Sequence, residues 1–403
     1  MGSGSMSRGR IALVLTAALI AGAGVTACGA NSPTHTAASS VSNHPVVYTF
    51  GVAGTEGPVL QTEHEKPTPI RGIEGTVIQI ATSNSDTYAL TSTGTVWAWG
   101  VGSNGELGNG ATPLYVNTAV QVDFPGGVRV TSLPNPMPFD GGLAIDSQGV
   151  AWAWGLNADN DLCLPSGLVV RTPERIPLTG VTLGTGARTH SMFVSDGSVY
   201  ACGSGQFGEL GNGGTADSAT PTRVVGLPPG PVQALTSSWG GSGALMRDGS
   251  YYNWGYNEAG QLGDGTTSDS AVPVHVPLPK KVVQVFQGGS GAKNGQTIAV
   301  LSDSSLWTWG NGTHGQLGNG SRASSSNPIR IALPHGARPA GVASGGYASY
   351  AIDTSGKLWA WGRNDDGQLG TGQSGPDQPS PVPTGLLLRQ VSSTAQNAAG
   401  LSR

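Results

Sequence analysis

Charge is scarce in this chain. Only 11% of its 403 residues are Asp, Glu, Lys or Arg, the net charge is −4, and no run of Lys or Arg occurs. That excludes nucleic acid as a partner, because binding it requires a clustered basic surface. The seven histidines (His35, His44, His64, His190, His275, His314 and His335) occupy unrelated positions without metal-ligand spacing, so no metal site is expected. No carboxylate pair stands out as an acid–base couple and no Gly-x-Ser-x-Gly elbow occurs, so no catalytic residue and no cofactor is assigned. The one prominent apolar run, residues 11–24, is too short to span a bilayer as a mature helix.

What the chain has in excess is glycine (65 residues) and proline (27), together with ten tryptophans. A disordered chain is usually highly charged and poor in aromatics. Rich in Gly and Trp and weakly charged, this one suits many short strands joined by tight turns.

The N-terminus reads as an address. Met1–Ser5 are set aside as an appended or upstream start. Arg8 and Arg10 precede the apolar run 11–24, which has the form of a signal-peptide core. It ends in Val25-Thr26-Ala27-Cys28-Gly29, which resembles a bacterial lipobox. That resemblance implies removal of residues 1–27 and lipidation of Cys28, the alternative being a secreted protein cut nearby. Two or more acyl chains make a stable anchor. Residues 28–45 then form a small, polar, aperiodic tether.

From residue 46 the chain repeats. "WGVGSNGELGNG" (99–110) returns as "WGLNADNDLCLP" (154–165), "CGSGQFGELGNG" (202–213), "WGYNEAGQLGDG" (254–265), "WGNGTHGQLGNG" (309–320) and "WGRNDDGQLGTG" (361–372), with a degenerate copy at 46–54. The shared glycines, from Gly51 to Gly362, are 48 to 55 residues apart. Seven copies at such a period mean one repeat architecture. Each unit predicts three short strands with a tight turn before the third, such as Ser195-Asp196-Gly197 or Arg247-Asp248-Gly249, then a proline-flanked fourth. Four strands repeated radially describe a β-propeller blade.

Within the loop, only Gly or Asn stands two residues past the shared glycine (Gly102, Asn157, Gly205, Asn257, Gly312, Asn364) and five past it (Gly105, Asn160, Gly208, Gly260, Gly315, Gly367). Both places are therefore expected to be left-handed. A leucine follows each time, as an apolar plug. Before it stands Glu106, Asp161, Glu209, Gln261, Gln316 or Gln368. Acid and amide interchange there, so the position needs a hydrogen-bond acceptor rather than a proton donor. Nor does a Lys-Ser/Thr pair follow, as a phosphate loop would require. The loop is scaffold.

The recurring W-G-x-N-x-x-G-Q-L-G pattern resembles the regulator-of-chromosome-condensation repeat family across residues 46–403. The resemblance implies an all-β, seven-bladed β-propeller. Residues 389–403 match the first two strands of a unit and 46–51 the third, which predicts closure by N- and C-terminal strands sharing one blade. Cys163 stands at a loop-glycine position and Cys202 at a tryptophan position of the next copy. They are either bridged or two small buried thiols. His190 falls near a strand start where the family often has a histidine, and is read as structural.

Function is sought where the repeat breaks. Insertions at 132–142 and 287–296, both between first and second strands, are expected on one rim. They offer Asn135, Met137, Phe139 and Asp140 on one, and Lys293 and Asn294 on the other, as candidate binding residues. The alternative is that both insertions are neutral. The charged stretch 56–75 reads as a solvated surface. The expectation is a monomeric, membrane-anchored extracytoplasmic lipoprotein that binds an envelope or extracellular protein or glycan. The alternative is a secreted inhibitor of an extracellular enzyme, as the resemblance of a bacterial β-lactamase-inhibiting protein to this family suggests. Guanine-nucleotide exchange, or an enzyme with a channel site, ranks behind both.

Overall fold

The computed structural model describes residues 12–13, 48–52, 63–83, 86–165, 167–289, 291, 294–365, 369–388, 390–393 and 397–401. Among them are six four-stranded antiparallel meanders, each one repeat. Blade 1 runs Val77–Thr82, Asp86–Thr91, Val96–Val101 and Tyr115–Gln121. Blade 2 runs Val130–Ser132, Gly141–Asp146, Ala151–Leu156 and Val169–Arg175. Blades 3 to 6 begin at Val181–Gly186, Val232–Ser237, Val282–Gly288 and Pro339–Ser344.

The second strands are buried along their whole length because sheet neighbours flank them and blades cover both faces. Their residues therefore read as continuous apolar and small runs instead of alternating. The fourth strands are half exposed and carry prolines such as Pro173 and Pro273, which an outer edge tolerates because it needs no complete ladder. The first strands of blades 3 to 6 pack against one another in succession, placing them nearest the axis.

The expected seventh blade, shared by the two termini, is not formed as one sheet. The hairpin Gln390–Ser393 with Asn397–Leu401 pairs in parallel with Ala12–Leu13, and Tyr48–Val52 pairs separately with Glu63–Pro69. A strand edge accepts one partner, and Ala12–Leu13 occupy the Asn397–Leu401 edge that Tyr48–Val52 would have needed. Apart from Ala12–Leu13, the expected signal peptide, Cys28 and the tether to residue 45 lie outside the described residues.

The turns before the third strands divide into two kinds. Asp196 and Gly197 both have positive φ, 47° and 76°, as a mirror-type two-residue turn requires. At Arg247-Asp248-Gly249 only the glycine does, at 90°, and the Gly249 amide closes on the Met246 carbonyl at 2.9 Å. The same dipeptide thus serves two turn geometries, because the second connection is longer.

Candidate binding face

The loops after the first and third strands of every blade emerge at the same end of the ring. The third-strand loops form the seams. Glu106 Oε2 accepts the Asn104 amide at 2.7 Å and Glu209 Oε2 the Phe207 amide at 2.8 Å. Gln261 Oε1 accepts the Ala259 amide and Gln316 Oε1 the His314 amide, both at 2.9 Å. Acid and amide thus play one part, that of acceptor within the loop. The main-chain carbonyl of the same residue reaches the next blade and accepts an indole N–H: Trp154 donates to Glu106, Trp254 to Glu209, Trp309 to Gln261 and Trp361 to Gln316, at 2.8 to 3.0 Å. The following leucines are all buried.

Of the two places expected to be left-handed, only the second is. Gly105, Asn160, Gly208, Gly260 and Gly315 have φ between 58° and 84°, whereas the residues three positions earlier do not. There Gly and Asn serve opposite ends. A Cβ at Gly205 or Gly312 would fall 2.3 or 2.1 Å from the Ala216 or Ala323 carbonyl oxygen. Asn157, Asn257 and Asn364 instead accept the leucine amides of their loops, at 3.1, 2.9 and 3.4 Å.

One seam is built differently. Between blades 2 and 3 the indole is absent, and Cys202 Sγ lies 3.7 Å from the Asp161 carbonyl. Cys163 and Cys202 form a disulfide, with a Cα separation of 5.3 Å. In the other loops the residue matching Cys163 is a glycine against the tryptophan; a Cβ at Gly211 would meet the Trp254 indole nitrogen at 2.6 Å. A side chain at 163 and a small residue at 202 therefore require each other.

The buried loop acids carry a penalty that the amides do not. Desolvation raises the Glu106 and Asp161 carboxyls above their usual range and lifts Glu209 to about 7. His190, wholly buried, is pushed down to about 4 by desolvation, and its Nε2 faces the Ser242 hydroxyl at 2.8 Å.

At the axis, the first-strand loops of blades 2 to 6 line one shallow, open-mouthed cavity of about 40 Å³. Both insertions reach it, through Pro136, Met137 and Phe139 on one side and Gly288 and Gly289 on the other. Met137, which the sequence offers as a candidate binding residue, is instead 2% exposed and receives the Leu143 amide on its sulfur at 3.2 Å. The insertion folds inward because its main chain is caught on both flanks, Met137 by the Thr82 carbonyl and Phe139 by that of Ala187, at 3.2 and 3.1 Å. Asn135, Phe139 and Asp140 remain half-exposed. Lys293 lies outside the described residues. Asn294 Nδ2 donates to the Tyr347 hydroxyl at 2.5 Å.

Three residues that sequence reading passed over complete the face. Arg188 is exposed and its guanidinium stacks 4.1 Å from the Phe139 ring and 6.0 Å from that of Trp239. Across the mouth, Tyr347 makes edge contact with His314 and lies under Arg363 at 5.3 Å. Arg188, Trp239 and Tyr347 all occupy first-strand loops of ordinary length. Comparing residue types across those loops, instead of their lengths, would have found them. Among the described residues no group of three or more His, Cys, Asp or Glu could hold a metal ion, and no helix is long and apolar enough to cross a membrane.

The model of the regulator of chromosome condensation (RCC1) repeat matches residues 196–245, 248–292, 303–352 and 355–400, and a second RCC1 repeat model matches 340–368. The chain is 32% identical over 301 residues to the ultraviolet-B receptor UVR8 of Arabidopsis thaliana, a match covering 73% of this chain and 66% of the receptor. To the human E3 ubiquitin-protein ligase HERC2 it is 26% identical over 328 residues, 78% of this chain but 7% of the ligase. The chain therefore spans about two thirds of one relative and a small part of the other. The crystal structure of Prp20p from Saccharomyces cerevisiae, described with its binding properties to Gsp1p and histones, superposes with a TM-score of 0.74 at 20% identity. That superposition covers 90% of this chain and 93% of Prp20p.

Proposed function

The chain belongs to the RCC1 repeat family, and from that premise we propose that it presents the loop end of its ring as a protein-binding face, outside the cytoplasm and on a lipid anchor at Cys28. The observation that carries the binding role is the Phe139–Arg188–Trp239 stack. It sets an exposed Arg, with no carboxylate partner among the described residues, between two aromatic rings at the mouth of the cavity. Arg and large aromatics dominate the energetics of protein interfaces, and a stacked guanidinium is ordered before it binds. Prp20p, of the same fold, is described as binding proteins, and that likeness supports the platform reading by analogy alone.

The location rests on the lipobox residues and on the buried Cys163–Cys202 disulfide, a bond that persists in oxidising compartments. The partner would be an envelope or extracellular protein. If that partner is an enzyme, the face acts as an inhibitor, and activity assays against extracellular hydrolases separate the two outcomes.

The test is capture from the native envelope by the full chain, beside a Phe139→Ala/Trp239→Ala variant of matched melting temperature. A protein retained by the first and lost by the second supports the face. Equal retention overturns it. Anchoring is checked separately by fractionation: Cys28→Ala should release the protein from membranes.

A further inference from the structure

The cavity at the axis contains polar groups whose bonding capacity the fold leaves unused. Gln287 lines it and is 6% exposed. Its Nε2 donates to Asn253 Oδ1 at 2.8 Å, while Asn253 Nδ2 donates to the Gln261 and Leu262 carbonyls at 3.3 Å. Those two carbonyls can only accept, so they fix the sense of both side-chain amides. Gln287 Oε1 is left buried with no donor, and Trp239 Nε1, in the same lining, is buried with no acceptor. A buried polar atom is costly to leave unpaired. Here an unmet acceptor and an unmet donor share one wall.

The remaining lining sorts possible occupants. Phe139, Met137 and Pro136 supply an apolar side, and Arg188 is the one ionised side chain among the described lining residues. A bare anion would leave Gln287 Oε1 unmet, and a purely apolar group would leave all three. A peptide amide offers N–H and C=O together, and a carboxylate near it answers the guanidinium. We propose that the mouth receives a carboxylate-bearing peptide segment of the protein partner. A main-chain amide would bridge Trp239 Nε1 and Gln287 Oε1, and the acidic side chain would dock on Arg188. This rests on the protein-binding reading of the loop end and narrows it to a ligand chemistry.

The test follows the Trp239 indole N–H resonance of the full chain, assigned with Trp239→Phe. Two probes are titrated, N-acetyl-glutamate N-methylamide and its glutamine counterpart. The glutamate probe should shift the resonance and bind about tenfold more tightly at low salt, as expected for a charge-assisted contact. Arg188→Met should abolish that preference, and Arg363→Met, in the other cluster, should keep it. Equal affinity for the two probes, a preference that survives in Arg188→Met, or no shift up to about 10 mM probe overturns the proposal. If that happens while envelope capture still depends on Phe139 and Trp239, the ligand chemistry fails and the platform stands. If capture is also insensitive, both fail.

Discussion

The loops of blades 1 to 3 and those of blades 4 and 5 perform one mechanical task with different chemistry. Glu106, Asp161 and Glu209 serve the first group, Gln261 and Gln316 the second, and in both the adjoining carbonyl meets the next blade. The seam needs only an acceptor in the loop and a carbonyl beside it. An acid meets that need and brings ionisation with it, so the loop seams of the first half are pH-sensitive where those of the second are not. The first half also holds the disulfide and the inward-folded insertion, while the four segments matched by the first RCC1 repeat model all begin at residue 196 or later. Variation has collected on one side of a ring whose seams are otherwise alike.

If the seams are equivalent, Trp254→Ala at an acid loop and Trp309→Ala at an amide loop should destabilise alike. Each removes a fully buried indole, and the expected loss is about 3 to 5 kcal/mol by denaturant unfolding. A large difference between the two would break the equivalence.

The covalent seam comes next. Reduction of the Cys163–Cys202 bond, which closes a 39-residue separation, should lower stability by about 3 to 4 kcal/mol. Restoring the common pair with Cys163→Gly/Cys202→Trp should return a folded protein whose melting no longer responds to reductant. Cys202→Trp alone should be the worse variant, because Cys163 then occupies the indole's space.

The acid half can be isolated through pH. Glu209 takes up its proton at about 7 when folded, against an ordinary value near 4.5. Its folded pKa is raised, so the folded state binds more protons and stability falls as pH rises from about 4.5 through about 7. His190 acts in the opposite sense between about 4 and 6.5, since its folded pKa is lowered and acid must charge a buried ring. The clean comparison is therefore Glu209→Gln against wild type. The variant should gain about 2 to 3 kcal/mol at pH 8 and nothing at pH 4. Gln261→Glu should show the reverse in the amide half.

Smallest is the loop asparagine. Asn257→Ala leaves the Leu262 amide without its acceptor and should cost about 1 to 2 kcal/mol, read from the shift in urea midpoint.

Much of this architecture is legible in sequence because each blade repeats the same demands. The acid–amide interchange at 106, 209, 261 and 316 identified an acceptor position, and the loops use it as one. What a single unit does not contain is harder to read. Closure by the termini involves strands 12–13, 48–52 and 397–401 competing for one edge, and competition is not visible in any one segment. Met137 lies between prolines and suggests a tip, yet amide contacts to two neighbouring blades fold it inward. The Phe139–Arg188–Trp239 stack draws on blades 2, 3 and 4, so its members are remote in sequence and meet only at the axis. At the two-past-glycine position, Gly and Asn suggested a shared conformation, whereas one clears space and the other makes a bond.

The claim that the loop end is where this ring meets its partner is tested most directly by photo-crosslinking from its two ends. A crosslinking residue at Phe139 or Asn294 is compared in the native envelope with one at Gln148, an exposed residue of the hairpin end. One discrete adduct is expected from positions 139 and 294, absent from 148 and lost in Arg188→Ala. An adduct of equal or greater yield from 148 would instead put the partner at the opposite end of the ring.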